Sequence, residues 1–344
     1  MPTTTRDKLL QSIATTIADY RHDQVAAPTP AHVDRWVHQF DADAQVPILQ
    51  EMAHVLGKTY FSKPTVQGFL ETMATHKKVV GDDPKAYWAG IRFLRIQGGG
   101  NSQKAMLKLF AEILKTKFGL DMDACGTPTG PFFYLDDALF TGNRLLNDFR
   151  DWLGDSAPKK STVHAVLIAC YTAGWQYANQ KVQVAAGKNG KTIELGAKAC
   201  IHLANSWEEM DTSDVLWPTA IPNDADAIKY AEMLKAAGFP PKLRTPGNVG
   251  KKAIFSSDAG RQVLEQQFLK YGAQIRRMCP HLNEYMRPLG NCVLKTLGFG
   301  ALLVTYRNCP NNCPLPLWAG DPWYPLFERR TNEPDFSKVF GVKK

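Results

Sequence analysis

From residue 88 onward the chain alternates short apolar runs with amphipathic helical segments. That alternation restricts the fold more than any other feature of the sequence. WAGIRFLRIQ (88–97) reads as a strand and GGGNS (98–102) as a loop. QKAMLKLFAEILKTKF (103–118) sets Met106, Phe110, Ile113 and Leu114 on one helical face. PFFYLDD (131–137) is the next predicted strand. RLLNDFRDWL (144–153) follows as a helix whose apolar face is Leu145, Leu146, Phe149, Trp152 and Leu153. VHAVLIAC (163–170) reads as a strand, residues 171–187 as a helix, and TIELGAKACIH (192–202) as a further strand. Parallel neighbours need a long crossover, so strand–helix repetition of this kind predicts an α/β fold built on a parallel, Rossmann-like sheet.

The flanks read differently. Residues 5–80 carry helical periodicity throughout. Leu9, Leu10, Ile13, Ile17 and Tyr20 repeat at helical spacing, then Val33, Trp36, Val37 and Phe40, then Ile48, Met52 and Val55. A small helical domain of winged-helix-like type is expected over 1–82, the α/β domain over 83–330 and a tail over 331–344. The α/β part also holds a long helix at 261–278 and a last strand at GALLVTYRN (300–308).

The 344 residues include seven cysteines without a CxxC pair, which points to reduced thiols and a cytoplasmic setting. No run of about 18 apolar residues is present, so no membrane span is expected. The Cys309/Cys313 pair in NCPNNCP lacks a second ligand pair at zinc spacing and reads as a tight turn. The net charge is +8; residues 181–344 hold 22 Lys/Arg against 15 Asp/Glu, whereas residues 1–80 are balanced at 8 against 8. The helical domain is therefore not expected to read DNA strongly, while the C-terminal half is compatible with a phosphate-rich partner.

One stretch carries the chemistry. FFYLDDALFTGNR (132–144) runs from apolar residues into Asp136 and Asp137, then into Thr141, Gly142 and a helix. Ligands of open parallel sheets collect at the C-terminal ends of strands. A turn entering a helix offers free N–H groups and a favourable dipole to an anion. Thr141, Gly142 and Asn143 are therefore candidates for holding a phosphate, with Thr141 adding a hydroxyl and Gly142 allowing close approach. Asp136 and Asp137 cannot hold phosphate. They can accept hydrogen bonds from sugar hydroxyls, directly or through Mg²⁺ and its water. A 5-phosphorylated ribose satisfies both halves. A lone Asp-Asp pair would be read as a helix cap; the Thr-Gly turn after it and the glycines before it favour a ligand site.

This stretch resembles the ribose-phosphate motif of phosphoribosyltransferases, an apolar strand followed by two acids and Thr-Gly-x-Thr. Asp136, Asp137, Thr141 and Gly142 match, and Arg144 stands in place of the second Thr, where it can still pair with the phosphate. The resemblance implies a pyrophosphate loop after an earlier strand, which falls on Gly98, Gly99, Gly100, Asn101 and Ser102. It implies that Asp136 and Asp137 are the catalytic and Mg²⁺-binding acids. With the N-terminal helices and YRNCPNNCPLPLWAGDPWYPLFERR (306–330), the chain is similar to phosphoribosyltransferase-like proteins of bacterial phage-defence loci, some associated with retrons. A retron reverse transcriptase with its DNA–RNA hybrid, or another defence protein, is then an implied partner beside a nucleotide or phosphoribosyl pyrophosphate.

The departures matter too. Only GLDMDACGTPTG (119–130) separates the helix after the glycine loop from the acidic strand, so a long closing lid is not evident. If the last strand joins the same sheet, Asn311 and Asn312 lie at the same edge and can line the pocket. His164 is expected to be structural, and Lys251 and Lys252 to form a solvated face. Three functions compete: a glycosyl-transferring or nucleotide-consuming enzyme, a degenerate fold that senses a nucleotide, and a scaffold for nucleic acid or protein.

Overall fold

The computed structural model describes residues 4–98 and 101–329; the predicted tail at 331–344, with Arg330, lies outside the described residues. The chain is a mixed α/β protein organised in two compact units, one formed by residues 63–206 and the other by the segments on either side.

The flanking unit begins with α1 (Thr5–Thr16), α2 (Pro30–Val37), α3 (Gln45–Thr59) and β1 (Tyr60–Phe61). Thr4 caps α1 in a reciprocal box with Asp7, and Thr29 caps α2 ahead of Pro30 at its first turn. The inserted unit comprises α4 (Lys63–Thr75), α5 (Lys77–Val80), α6 (Pro84–Gly90), β2 (Arg92–Phe93), α7 (Ser102–Phe118), β3 (Phe132–Leu139), α8 (Asn143–Gly154), β4 (Lys160–Tyr171), α9 (Thr172–Lys188) and β5 (Thr192–Leu203). The chain then returns through α10 (Ala225–Ala236), α11 (Asp258–Met278), β6 (Met286–Arg287), β7 (Gly290–Asn291), β8 (Val304–Thr305) and α12 (Leu315–Trp318). No described helix is long and apolar enough to cross a membrane.

The inserted unit holds a four-stranded parallel sheet in the order β2-β3-β4-β5. Aromatic side chains on alternate strand positions fill both faces. Phe133 packs against Trp88 of α6 and Phe110 of α7 at centroid distances of 5.2 and 5.6 Å. On the opposite face, Tyr134 meets Phe149 at 5.4 Å and Phe132 meets Trp152 at 4.9 Å, both partners belonging to α8. Trp88, Phe110, Phe133, Tyr134 and Phe149 are fully buried, each stabilising the fold by roughly 1.5–3 kcal/mol in area terms.

Three expectations change. The predicted strand at 88–97 shrinks to two residues, because Pro84 opens a helix that Asp83 caps and that carries Trp88. The compact units divide the chain at Ser62 and Trp207, not at 82: Trp88 Nε1 donates to Ala74 O at 2.9 Å and ties α4 to α6, while Trp36 packs edge-on to Phe268 of α11. Finally, the predicted strand at 300–308 contributes only Val304–Thr305, which pair with β1 in a separate small sheet. The last strand thus does not join the four-stranded sheet, and the condition that would bring Asn311 and Asn312 to its edge is not met. They hold the backbone of Asn291, Asn312 through its side-chain amide at 2.9 Å and Asn311 through its carbonyl at 2.7 Å.

The flanking unit is locked by a buried ion network. Glu265 accepts from Arg244 at 2.9 Å and from Arg261 at 2.8 Å, all three without solvent exposure at the side chain. Cys309 and Cys313 are both buried, and no group of metal-ligating side chains forms among the described residues.

Candidate functional site

Strand β3 runs past the two acids to Leu139, so Asp136 and Asp137 sit within its last turns of pleat and not after its end. Successive strand residues point to opposite faces, and this separates the pair. Asp136 shares the face of Tyr134 and is 5% exposed; Asp137 lies on the other face, half-buried. The carboxylate of Asp136 accepts from Gln97 Nε2 and from the Tyr134 hydroxyl, each at 3.2 Å, and from the Asp137 N–H at 2.9 Å. One divalent ion coordinated directly by both acids does not fit this arrangement, because strand alternation turns the two carboxylates to opposite faces. A water-mediated ion at Asp137 does.

Four residues beyond the predicted set complete the cluster: Tyr134, Asp148, Gln97 and Gln103. Asp148, on α8, is 4% exposed and accepts from the Gly98 N–H and the Tyr134 hydroxyl, both at 3.3 Å. Gln97 joins Asp136 to Ser102 Oγ and accepts from the Gln103 N–H, while Gln103 Oε1 accepts from the N–H groups of Ile96 and Gln97. The signal for Asp148 was present: it is an acid on the apolar stripe of α8, between Leu145 and Trp152. Gln97 gave no such signal, as the last polar residue of a predicted strand.

Electrostatics follow from this geometry. Burial pushes the Asp136 carboxyl up to about 7, with the neighbouring Asp137 charge adding to it. Burial also raises Asp148. The Tyr134 hydroxyl has one hydrogen and touches both acids, so it satisfies both only when one of them is protonated. The inner cluster therefore holds a proton readily near neutrality.

The turn after β3 leads directly into a helix. α8 begins at Asn143, Gly142 adopts φ +77°, and Thr141 Oγ1 accepts from the Asn143 N–H at 3.4 Å. Arg144 is exposed at the first turn. Gly142 also has a packing reason: a Cβ there would lie 2.3 Å from Gly174 O, and a Cβ on Gly174 would lie 1.9 Å from Phe140 O. The turn is thus clamped onto the start of α9. The predicted pyrophosphate loop leads into the N-terminus of α7 after Asn101; Gly98, Asn101 and Ser102 are described, and Gly99 and Gly100 lie outside the described residues. His164 lies near the start of β4 in register with Phe133, toward the opposite end of the strands, and burial lowers its basicity. Lys251 pairs with Glu209 in the flanking unit.

The structure thus gathers the acids, the Thr-Gly turn and the described part of the glycine loop into one unit. Residues 33–329 match the family model PRTase-CE. No curated protein and no solved structure matches the chain.

Proposed function

The chain belongs to the PRTase-CE family, a phosphoribosyltransferase-like group, and from that premise we propose that the end of β3 binds the ribose 5-phosphate of a nucleotide or of phosphoribosyl pyrophosphate. Asp137 accepts from the ribose hydroxyls and carries any Mg²⁺ through water. Thr141, Gly142, Asn143 and Arg144 receive the 5-phosphate at the N-terminus of α8. The loop at 98–102, leading into α7, takes a second phosphate group. One observation carries this reading: Gly98 and Gln97 are hydrogen-bonded to Asp148 and Asp136, which brings the glycine loop beside the acidic strand. Holding diol and both phosphates while positive charge develops at the anomeric carbon is how such a site would transfer a ribosyl group. The family resemblance makes an effector or component of an anti-phage system, retron-type complexes included, the setting we propose.

A second reading rests on the inward turn of Asp136. With Asp136 turned to the inner face, where Gln97 and Tyr134 donate to it, and only a short segment at 119–131 before β3, the site suits sensing of a nucleotide without turnover.

Thermal unfolding with phosphoribosyl pyrophosphate and Mg²⁺ tests the proposal, with ATP and NAD in parallel. Ligand at about 100 times its dissociation constant adds roughly 2.7 kcal/mol, a shift of several degrees. A shift in the wild type that Asp137→Asn abolishes supports the site. No shift with any of the three overturns it. A shift without pyrophosphate release in the presence of acceptor bases favours the sensor.

A further inference from the structure

Strand β5 borders the sheet: β4 pairs with one of its edges from Thr192 to Leu203, and no described strand pairs with the other. The register with β4 runs without a bulge, and the strand contains no proline. Long regular edges of this kind are ordinarily blunted, because their unpaired N–H and C=O groups accept another strand. The Thr192 N–H donates to Lys159 O at 2.8 Å, which sets the phase of the strand. Even-numbered residues bond toward β4, so Ile193, Leu195, Ala197 and Ala199 turn their backbone groups outward. Their side chains pack on the α9 side, whereas Glu194, Gly196, Lys198, Cys200 and His202 are exposed on the other face.

We propose that β5 is a self-association edge on which a second copy of this chain pairs its own β5, antiparallel and centred on Gly196. Centring there sets Glu194 across from Lys198 of the second copy and, by the twofold symmetry, Lys198 across from its Glu194. The parity agrees with the backbone. Ile193 with Ala199 and Leu195 with Ala197 become the hydrogen-bonded pairs, large against small, giving about eight backbone bonds in all. The charged pairs fall at the non-hydrogen-bonded positions, where facing residues come closest. Gly196 faces Gly196 at the axis, where nothing needs to be accommodated. Centring on Glu194 or Lys198 instead would place like charges face to face. The occupant that this edge complements is therefore itself.

Sedimentation of the full chain across a concentration series tests this. The wild type is expected to reach twice its 38.3 kDa mass. Lys198→Glu alone and Glu194→Lys alone each put two like-charged pairs at the interface and should weaken the dimer about tenfold. Mixing the two single variants, or combining them in one chain, restores opposite charges and should restore the dimer, which separates the effect from misfolding. A wild type that stays monomeric at every concentration overturns the proposal. So does a dimer that both single reversals leave unchanged, or one that the mixture fails to restore.

Discussion

The N–H of Gly98 donates to the carboxylate of Asp148 at 3.3 Å across 50 residues of sequence, fixing the start of the glycine loop to helix α8. Through the Tyr134 hydroxyl the same carboxylate is linked to Asp136. The loop and the acidic strand are thereby held by one buried polar cluster.

Removing Asp148 should free the loop. Asp148→Ala is expected to leave the Gly98 N–H without that acceptor and to raise amide exchange across residues 96–103, while exchange in β4 stays as it was. Hydrogen-exchange mass spectrometry reads this directly. Unchanged protection at 96–103 would mean that the Asp148 bond does not hold the loop.

Asp136 makes stability depend on pH. Its folded carboxyl titrates near 7 against an ordinary 3.8, so the folded state binds the proton more tightly. Its contribution is fully present below the ordinary value and is lost as pH rises toward and through about 7. Without divalent cations, Asp136→Asn should therefore gain on the wild type as pH rises from acid to mildly alkaline. Asp137 lies beside the same carboxyl and Asp148 is linked to it through the Tyr134 hydroxyl; both are left unchanged in the variant. Parallel melting-temperature profiles for the two proteins would contradict the assignment.

The clamp between the Thr-Gly turn and α9 should not tolerate a methyl group. Gly174→Ala meets Phe140 O at 1.9 Å, and a cost of about 1–3 kcal/mol is expected from overpacking against backbone. Gly187→Ala, late in the same helix with open space around it, should be neutral or stabilising by up to about 1 kcal/mol. Urea unfolding of the pair measures the contrast; equal midpoints would show that the close approach is not structural.

In the flanking unit, Glu265→Ala removes the carboxylate that two buried guanidiniums share, leaving Arg244 with Asp258 and Arg261 with neutral acceptors only. Breaking one side of a buried ion network costs about 3–5 kcal/mol. A loss under about 1 kcal/mol by denaturant titration would mean that water or other acceptors replace the carboxylate.

The parallel sheet was legible because its strands and helices differ in period: β3, β4 and β5 and α7, α8 and α9 all form close to where apolar spacing places them. The split of Asp136 from Asp137 also follows from strand alternation once β3 is seen to extend through Leu139. Trp88 shows the limit. WAGIRFLRIQ is apolar enough for a strand, but the Asp83 cap and Pro84 start a helix there, and local capping prevails. The pairing of β8 with β1 was beyond reach, since two-residue strands joined across the length of the chain leave no periodic trace. Asp148 was visible only as one acid on an apolar helix face.

The interrupted unit has a consequence for synthesis. Its first helices, with Trp36 in α2 and Phe40 just after it, emerge from the ribosome well before α11 and the Trp323 segment that those rings pack against. Residues 63–206, by contrast, are contiguous and can close as soon as they are translated. The nascent chain therefore carries an unsatisfied aromatic face through most of its translation, and a chaperone that shields residues 30–56 would raise yield more than one acting on the finished protein.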